Sequence, residues 1–134
     1  MSAVEGGCLC GAVRYRVSGT PISSSLCHCR SCRLASGAPV VAWFVVLNEQ
    51  FALLGGELRA FRSSESVVRE FCARCGSQIS YQHDDAPDRI ELTTVTLDHP
   101  EVFPPTREIW FSHKLSWVVP SPTIAHHAGE SQET

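Results

Sequence analysis

Seven cysteines in three closely spaced groups constrain this chain more than any other feature. They are Cys8 and Cys10, then Cys27, Cys29 and Cys32 in the run CHCRSCR, then Cys72 and Cys75. A Cys-x-x-Cys loop can fold back so that both sulfurs hold one ion, and a glycine after it lets the backbone turn its amides toward sulfur. Cys72-Ala73-Arg74-Cys75-Gly76 is such a loop, and Cys10-Gly11 places a glycine in the same way. Cys8, Cys10, Cys72 and Cys75 together supply the four thiolates of a closed structural zinc site. Cys27, Cys29 and Cys32 remain, and three protein ligands with one open position is the usual arrangement of a catalytic zinc. Such a position accepts a substrate thiolate or a water and stabilises an anion at neutral pH. Four plus three accounts for the odd count.

Each group has a competing reading. Cys72 and Cys75 would serve as a dithiol redox pair if a helix followed them, but Gly76 to Tyr81 reads as strand. Cys8 and Cys10 could be a loose N-terminal pair, and the central three could be buried free thiols. His28, between Cys27 and Cys29, is turned away from their metal if the loop is extended, which leaves it a substrate contact or a support for the ligands. Arg30 and Arg33 are candidate clamps for a carboxylate on a substrate. No other residue presents itself as a catalytic acid or base.

At 134 residues and 43% hydrophobic, the chain has enough material for one core. The opening MSAVEGG lacks a basic segment followed by an apolar one, which predicts a cytoplasmic protein, where thiols stay reduced. The longest apolar run, Val40 to Leu47, is far short of the roughly 18 residues of a membrane helix, so no membrane partner is expected. Residues 1–83 carry eight basic and five acidic side chains, residues 84–134 three and nine. The second part is a poor nucleic-acid surface, and seven thiolates with two divalent ions would cancel the excess charge of the first. No nucleic-acid partner is expected.

Val13, Tyr15 and Val17 alternate with Arg14 and Arg16, the period of a half-buried strand. Residues 39–47 suggest a strand buried on both faces, and Gly55-Gly56 a hairpin turn between 51–54 and 58–61. Further strands are expected over 66–71, 78–81 and 90–96. Residues 30–37 suit a turn or short helix ended by Gly37-Ala38-Pro39, and 108–111 suit a strand or a short amphipathic turn. The fold class that follows is mainly β, with irregular cysteine-bearing loops. One domain over 1–119 is expected, with a polar, small-residue tail over 120–134 expected to be disordered.

The chain resembles the glutathione-dependent formaldehyde-activating enzyme family, also called the GFA or CENP-V domain. The resemblance rests on Gly7-Cys8-Leu9-Cys10-Gly11 with Val13 and Tyr15, on CHCRSCR with Gly37, and on Phe71-Cys72-Ala73-Arg74-Cys75-Gly76-Ser77. Leu97-Asp98, Pro104-Pro105, Ile109-Trp110 and Trp117 look like the family's closing segment. The resemblance implies a zinc-bound, Mss4-like β fold of small antiparallel sheets with two zinc ions per chain. It implies a structural zinc on Cys8, Cys10, Cys72 and Cys75, and a catalytic one on Cys27, Cys29 and Cys32, the site expected to be the more labile of the two. It further implies adduct formation between a zinc-bound thiol such as glutathione and formaldehyde, in reverse a carbon-sulfur lyase reaction. Two alternatives stand beside it: a non-enzymatic zinc-bound interaction module, and the same chemistry on a different thiol or aldehyde. Glu108 departs from the pattern, since many members have histidine just before Ile-Trp, and a substrate-contacting histidine lost there would favour a different or less acidic ligand.

Overall fold

The computed structural model describes residues 2–130. Its chain is mainly strand: β1 (Ala3–Gly7), β2 (Arg14–Ser18), β3 (Ser23–Cys27), β4 (Val41–Leu47), β5 (Phe51–Gly55), β6 (Leu58–Ser64), β7 (Val67–Cys72), β8 (Gln78–His83), β9 (Arg89–Thr93), β10 (Arg107–Ile109) and β11 (Ala125–His126). One α-helix, α1 (Arg30–Ser36), follows the central cysteines. Strands β1, β2 and β5 make a three-stranded sheet, and the others an eight-stranded sheet ordered β11-β10-β3-β4-β9-β8-β7-β6. Pairing is antiparallel except where β10 runs parallel to β3 and β11.

The apolar alternation decides how the sheets meet. Val13, Tyr15 and Val17 are fully buried and pack against Phe44 and Val46 of β4, Ile79 of β8 and Leu92 of β9. Complete burial of a side chain such as Phe44 contributes about 2–3 kcal/mol. Tyr15 keeps its hydroxyl satisfied through Thr96 Oγ1 at 2.7 Å. The odd-numbered positions of β4 face the other way, where Val41 and Trp43 pack with Cys27, Cys32, Tyr81, Ile109 and Trp110. The strand is therefore buried on both faces, as its composition requires, and the central cysteines lie across the large sheet from the main core.

Three local expectations change. Gly55-Gly56 does not close a hairpin: β5 pairs with β2 and β6 with β7, so the glycines carry the chain from one sheet to the other. Gly56 has φ of 84°, and a Cβ there would lie 2.4 Å from the Ala12 carbonyl oxygen, so only glycine fits this crossing. The strand expected over 90–96 stops at Thr93, and Thr94–Thr96 forms a 3-10 turn that returns Thr96 to Thr93 and Tyr15. Residues 108–111 combine both readings, since β10 ends at Ile109, Trp110 takes a left-handed φ of 52°, and a 3-10 turn follows.

The tail expected to be disordered is docked as far as it is described, and residues 131–134 lie outside the described residues. Strand β11 adds to β10, and the amides of Trp110, Phe111 and Ser112 donate to the carbonyls of Gly129, His127 and Ala128. The His126 ring stacks on Phe111 at 4.2 Å. Composition alone misses this docking because backbone pairing and one aromatic stack, rather than apolar content, hold the segment. Among the described residues no helix is long and apolar enough to cross a membrane.

Candidate metal centres

The outer cysteines meet because two loops lie side by side. Cys8 and Cys10 follow β1, Cys72 ends β7, and Cys75 sits in the turn before β8. Gly11 and Gly76 hold φ of 83° and 81°, which lets each loop close after its second sulfur. The Leu9 amide donates to Ser77 Oγ at 3.0 Å and binds one loop to the other. The four sulfurs lie within 4.8 Å of one another, with Cys8 to Cys10 at 3.5 Å and Cys10 to Cys72 at 3.9 Å. A tetrahedral ion with metal–sulfur bonds of about 2.3 Å needs sulfurs about 3.8 Å apart, so the set fits one ion.

Amides aimed at sulfur prepare the site for negative charge. Val13 N donates to Cys8 Sγ at 3.2 Å, while Arg74 N and Cys75 N both donate to Cys72 Sγ at 3.3 Å. The Ser77 hydroxyl and amide hold Cys75 well below the usual thiol range, at about 5. All seven cysteines are free thiols.

The central group is built by one loop on one strand end. Cys27 closes β3, Cys29 caps the N-terminus of α1 by accepting from Cys32 N at 3.3 Å, and Cys32 lies in the helix. Gly37, in the left-handed conformation, ends the helix by donating to Arg33 O. The three sulfurs again lie within 4.8 Å of one another, and among the described residues no histidine, cysteine or carboxylate joins them as a fourth ligand. Hydrogen bonds from Cys27 and Cys32 pull the Cys29 thiol down to about 2, and the same contacts push Cys27 up.

These sulfurs open onto a cavity of about 310 Å³. Arg69, only 6% exposed, points into it from β7, with Nη2 and Nη1 at 3.7 and 3.8 Å from Cys32 Sγ. Its guanidinium lies over the Tyr81 ring, 5.0 Å from the centroid, and donates to Ser63 Oγ and Gln78 Oε1. A cation so held offsets thiolate charge beside Cys32. Tyr81 and Glu91 line the same cavity, and burial pushes both their hydroxyl and carboxyl groups up, Glu91 to about 7.

Of the three helpers expected from the sequence, Arg30 alone lines this cavity. Arg33 donates to the His113 carbonyl at 2.9 Å and faces a separate groove beside Trp117. His28 is fully buried and bonded through Nε2 to Glu108 Oε1 at 2.5 Å. Glu108 is buried as well, taking Ser121 N at 2.7 Å and His126 Nε2 at 3.2 Å on its other oxygen. Alternation explains its direction, because Ile109 pairs with Cys27 and faces the cavity, leaving Glu108 on the opposite side. Glu108 therefore stands away from the cavity and supports the loop from behind.

Sequence reasoning missed Arg69, Tyr81 and Glu91. The available signal was a charge on an apolar face, Arg69 sharing the parity of Val67 and Phe71; alternation gives no such sign for Glu91, which lies opposite Ile90 and Leu92.

Fold and site together define a β domain with two cysteine clusters that can hold metal ions, one of four sulfurs and one of three opening onto a cavity. The chain belongs to the glutathione-dependent formaldehyde-activating enzyme family, whose description matches residues 3–113. It is 29% identical over 124 residues to a Halomonas elongata protein whose name carries the same description, covering 86% of this chain and 79% of that one. An uncharacterized lyase of Schizosaccharomyces pombe is 28% identical over 83 residues, 62% of this chain and 60% of the yeast protein's length. A crystal structure of a Rhodobacter sphaeroides protein superposes with a TM-score of 0.59 at 19% identity, covering 91% of this chain and 98% of that one, and shares the fold.

Proposed function

We propose that this chain joins a low-molecular-weight thiol, glutathione in the first instance, to formaldehyde as an S-hydroxymethyl adduct, with zinc in both cysteine clusters and the cytoplasm as its setting. The observation that carries this reading is the central trio: three convergent sulfurs, no fourth protein ligand among the described residues, and a cavity in front of them. Sulfur-only donor sets suit zinc, and the outer four would hold a structural ion while Cys27, Cys29 and Cys32 would hold the one that serves chemistry. That ion would lower the pKa of a bound thiol and keep it ionised at neutral pH.

The chain's own residues supply the rest. Arg69 places positive charge beside Cys32 and offsets the anion that enters. Trp43, Ile109 and Trp110 wall the cavity with apolar surface that excludes water around the reacting thiolate. Arg30, exposed at the lip, suits a carboxylate of the thiol substrate. Colocation of thiol and aldehyde contributes through proximity.

Adduct formation above the spontaneous rate, followed by NMR for the native protein and a Cys29→Ser variant across several thiols and aldehydes, tests the reading. Faster formation by the native protein alone is expected, and the preferred pair names the substrates. Equal rates in both proteins overturn it in favour of a zinc-bound interaction module.

A further inference from the structure

We propose that Glu91 is the catalytic acid that protonates the aldehyde oxygen as the thiol adds, a role that rests on the thiol–aldehyde reading above. The sheet register carries the argument. Val45 of β4, Glu91 of β9, Tyr81 of β8 and Arg69 of β7 are directly opposed, strand by strand, so their side chains stand in one row on one face. One end of that row reaches Cys32 sulfur through Arg69, and Glu91, Tyr81 and Arg69 share a cavity with all three central cysteines.

Glu91 differs from the other interior carboxylates in having no partner. Glu108 takes three hydrogen-bond or ion-pair contacts and Glu70 accepts from Ser80 Oγ, whereas Glu91 has no hydrogen bond or ion pair among the described residues. A partly buried carboxyl without a partner avoids the desolvation penalty by keeping its proton. Burial first, then Glu130 of the C-terminal segment and the Cys29 thiol, raise its pKa to about 7, against the pull of Arg69. Beside these, Tyr81 faces it from β8 and Arg89 stands two residues along β9, while Arg107 of β10 lines the adjoining groove that Glu91 also borders; β4 presents only neutral Val45. A donor poised near neutrality gives the best compromise between being protonated and releasing the proton.

The step balances. The sulfur–carbon bond forms, the carbonyl π pair moves to oxygen, and that oxygen takes the proton of Glu91. The proton released when the thiol ionises restores the carboxyl through water, so thiol plus formaldehyde gives the S-hydroxymethyl adduct and nothing else. In reverse, the carboxylate removes the hydroxyl proton as the carbon–sulfur bond breaks.

The test uses metal-loaded full-length protein, glutathione and formaldehyde. Glu91→Gln is expected to lower kcat about 100-fold, with metal content and thiol KM unchanged, and Glu91→Asp to recover part of the loss. The native rate should fall as pH rises through about 7, and this limb should be missing in E91Q. Independently of activity, carboxyl-carbon NMR of the native protein should show one glutamate titrating near 7, absent from E91Q. Native rates and pH profile in E91Q, a Glu91 resonance titrating in the ordinary carboxylate range, or the same loss from Glu130→Gln with E91Q unaffected would each overturn the assignment. A native protein no faster than background removes the thiol–aldehyde reading and this role with it, whereas a fast native protein matched by E91Q removes this role alone.

Discussion

His28 and Glu108, 80 residues apart in the chain, meet at 2.5 Å with both side chains shut off from solvent. The contact joins the loop that carries the central sulfurs to β10, and Glu108 passes it on to the C-terminal segment through Ser121 N and His126. Loop, strand and C-terminal segment are therefore held by one carboxylate.

Replacing Glu108 with alanine would leave a buried histidine and an amide without their acceptor. Loss of one partner of a buried pair costs about 3–5 kcal/mol, which for a domain of this size lowers Tm by about 10–20 °C. Thermal unfolding measures the loss, and limited proteolysis should show cleavage within 120–130 in the variant before the rest of the domain is cut.

The two clusters predict separable metal losses. Native protein should carry two ions per chain by elemental analysis, with Cys29→Ser keeping one. Cys72→Ser should lose the outer ion and most of the fold, because that ion ties β1 to β7 and binding at such sites contributes on the order of 10 kcal/mol. A C29S variant that unfolds as readily as C72S would contradict the division of roles.

Arg69→Met removes the cation beside Cys32 but keeps much of the side chain's volume. Central metal affinity should fall about 10–100-fold, the effect usual for a residue that contacts a ligand without binding the metal itself, while the outer site holds its ion unchanged. Competition with a chromogenic chelator reads the two sites in sequence.

Glu91 also predicts a pH effect on stability. A carboxyl raised from 4.5 to about 7 on folding binds more protons folded than unfolded. Stability is therefore lost as pH rises from about 4.5 to about 7 and is level beyond. Denaturant unfolding of the native protein and E91Q across this window should diverge by at most a few kcal/mol, E91Q being the less pH-sensitive. The difference between the two cancels the metal-linked protons common to both.

Much of the strand content was legible because alternation is local: Val13, Tyr15 and Val17 announce a half-buried strand, and Val41 to Leu47 one buried twice. The crossing at Gly55-Gly56 was not, since a glycine pair signals a turn without saying which strands it separates. The docked segment over 120–130 was illegible for a related reason, as its partners are backbone groups 16 to 19 residues away.

The sequence by itself determined the grouping of sulfurs into four and three, because a chelating loop needs only a few residues of chain and a glycine to close. It also settled that a mainly β domain would carry them. Which charged side chains reach the central trio was decided only by tertiary structure. Arg69, Tyr81 and Glu91 become neighbours through the register of three strands, and Glu108 turns away through the phase of a fourth. Register and phase are set cooperatively by the packing of both sheet faces, and no short window of residues contains that information.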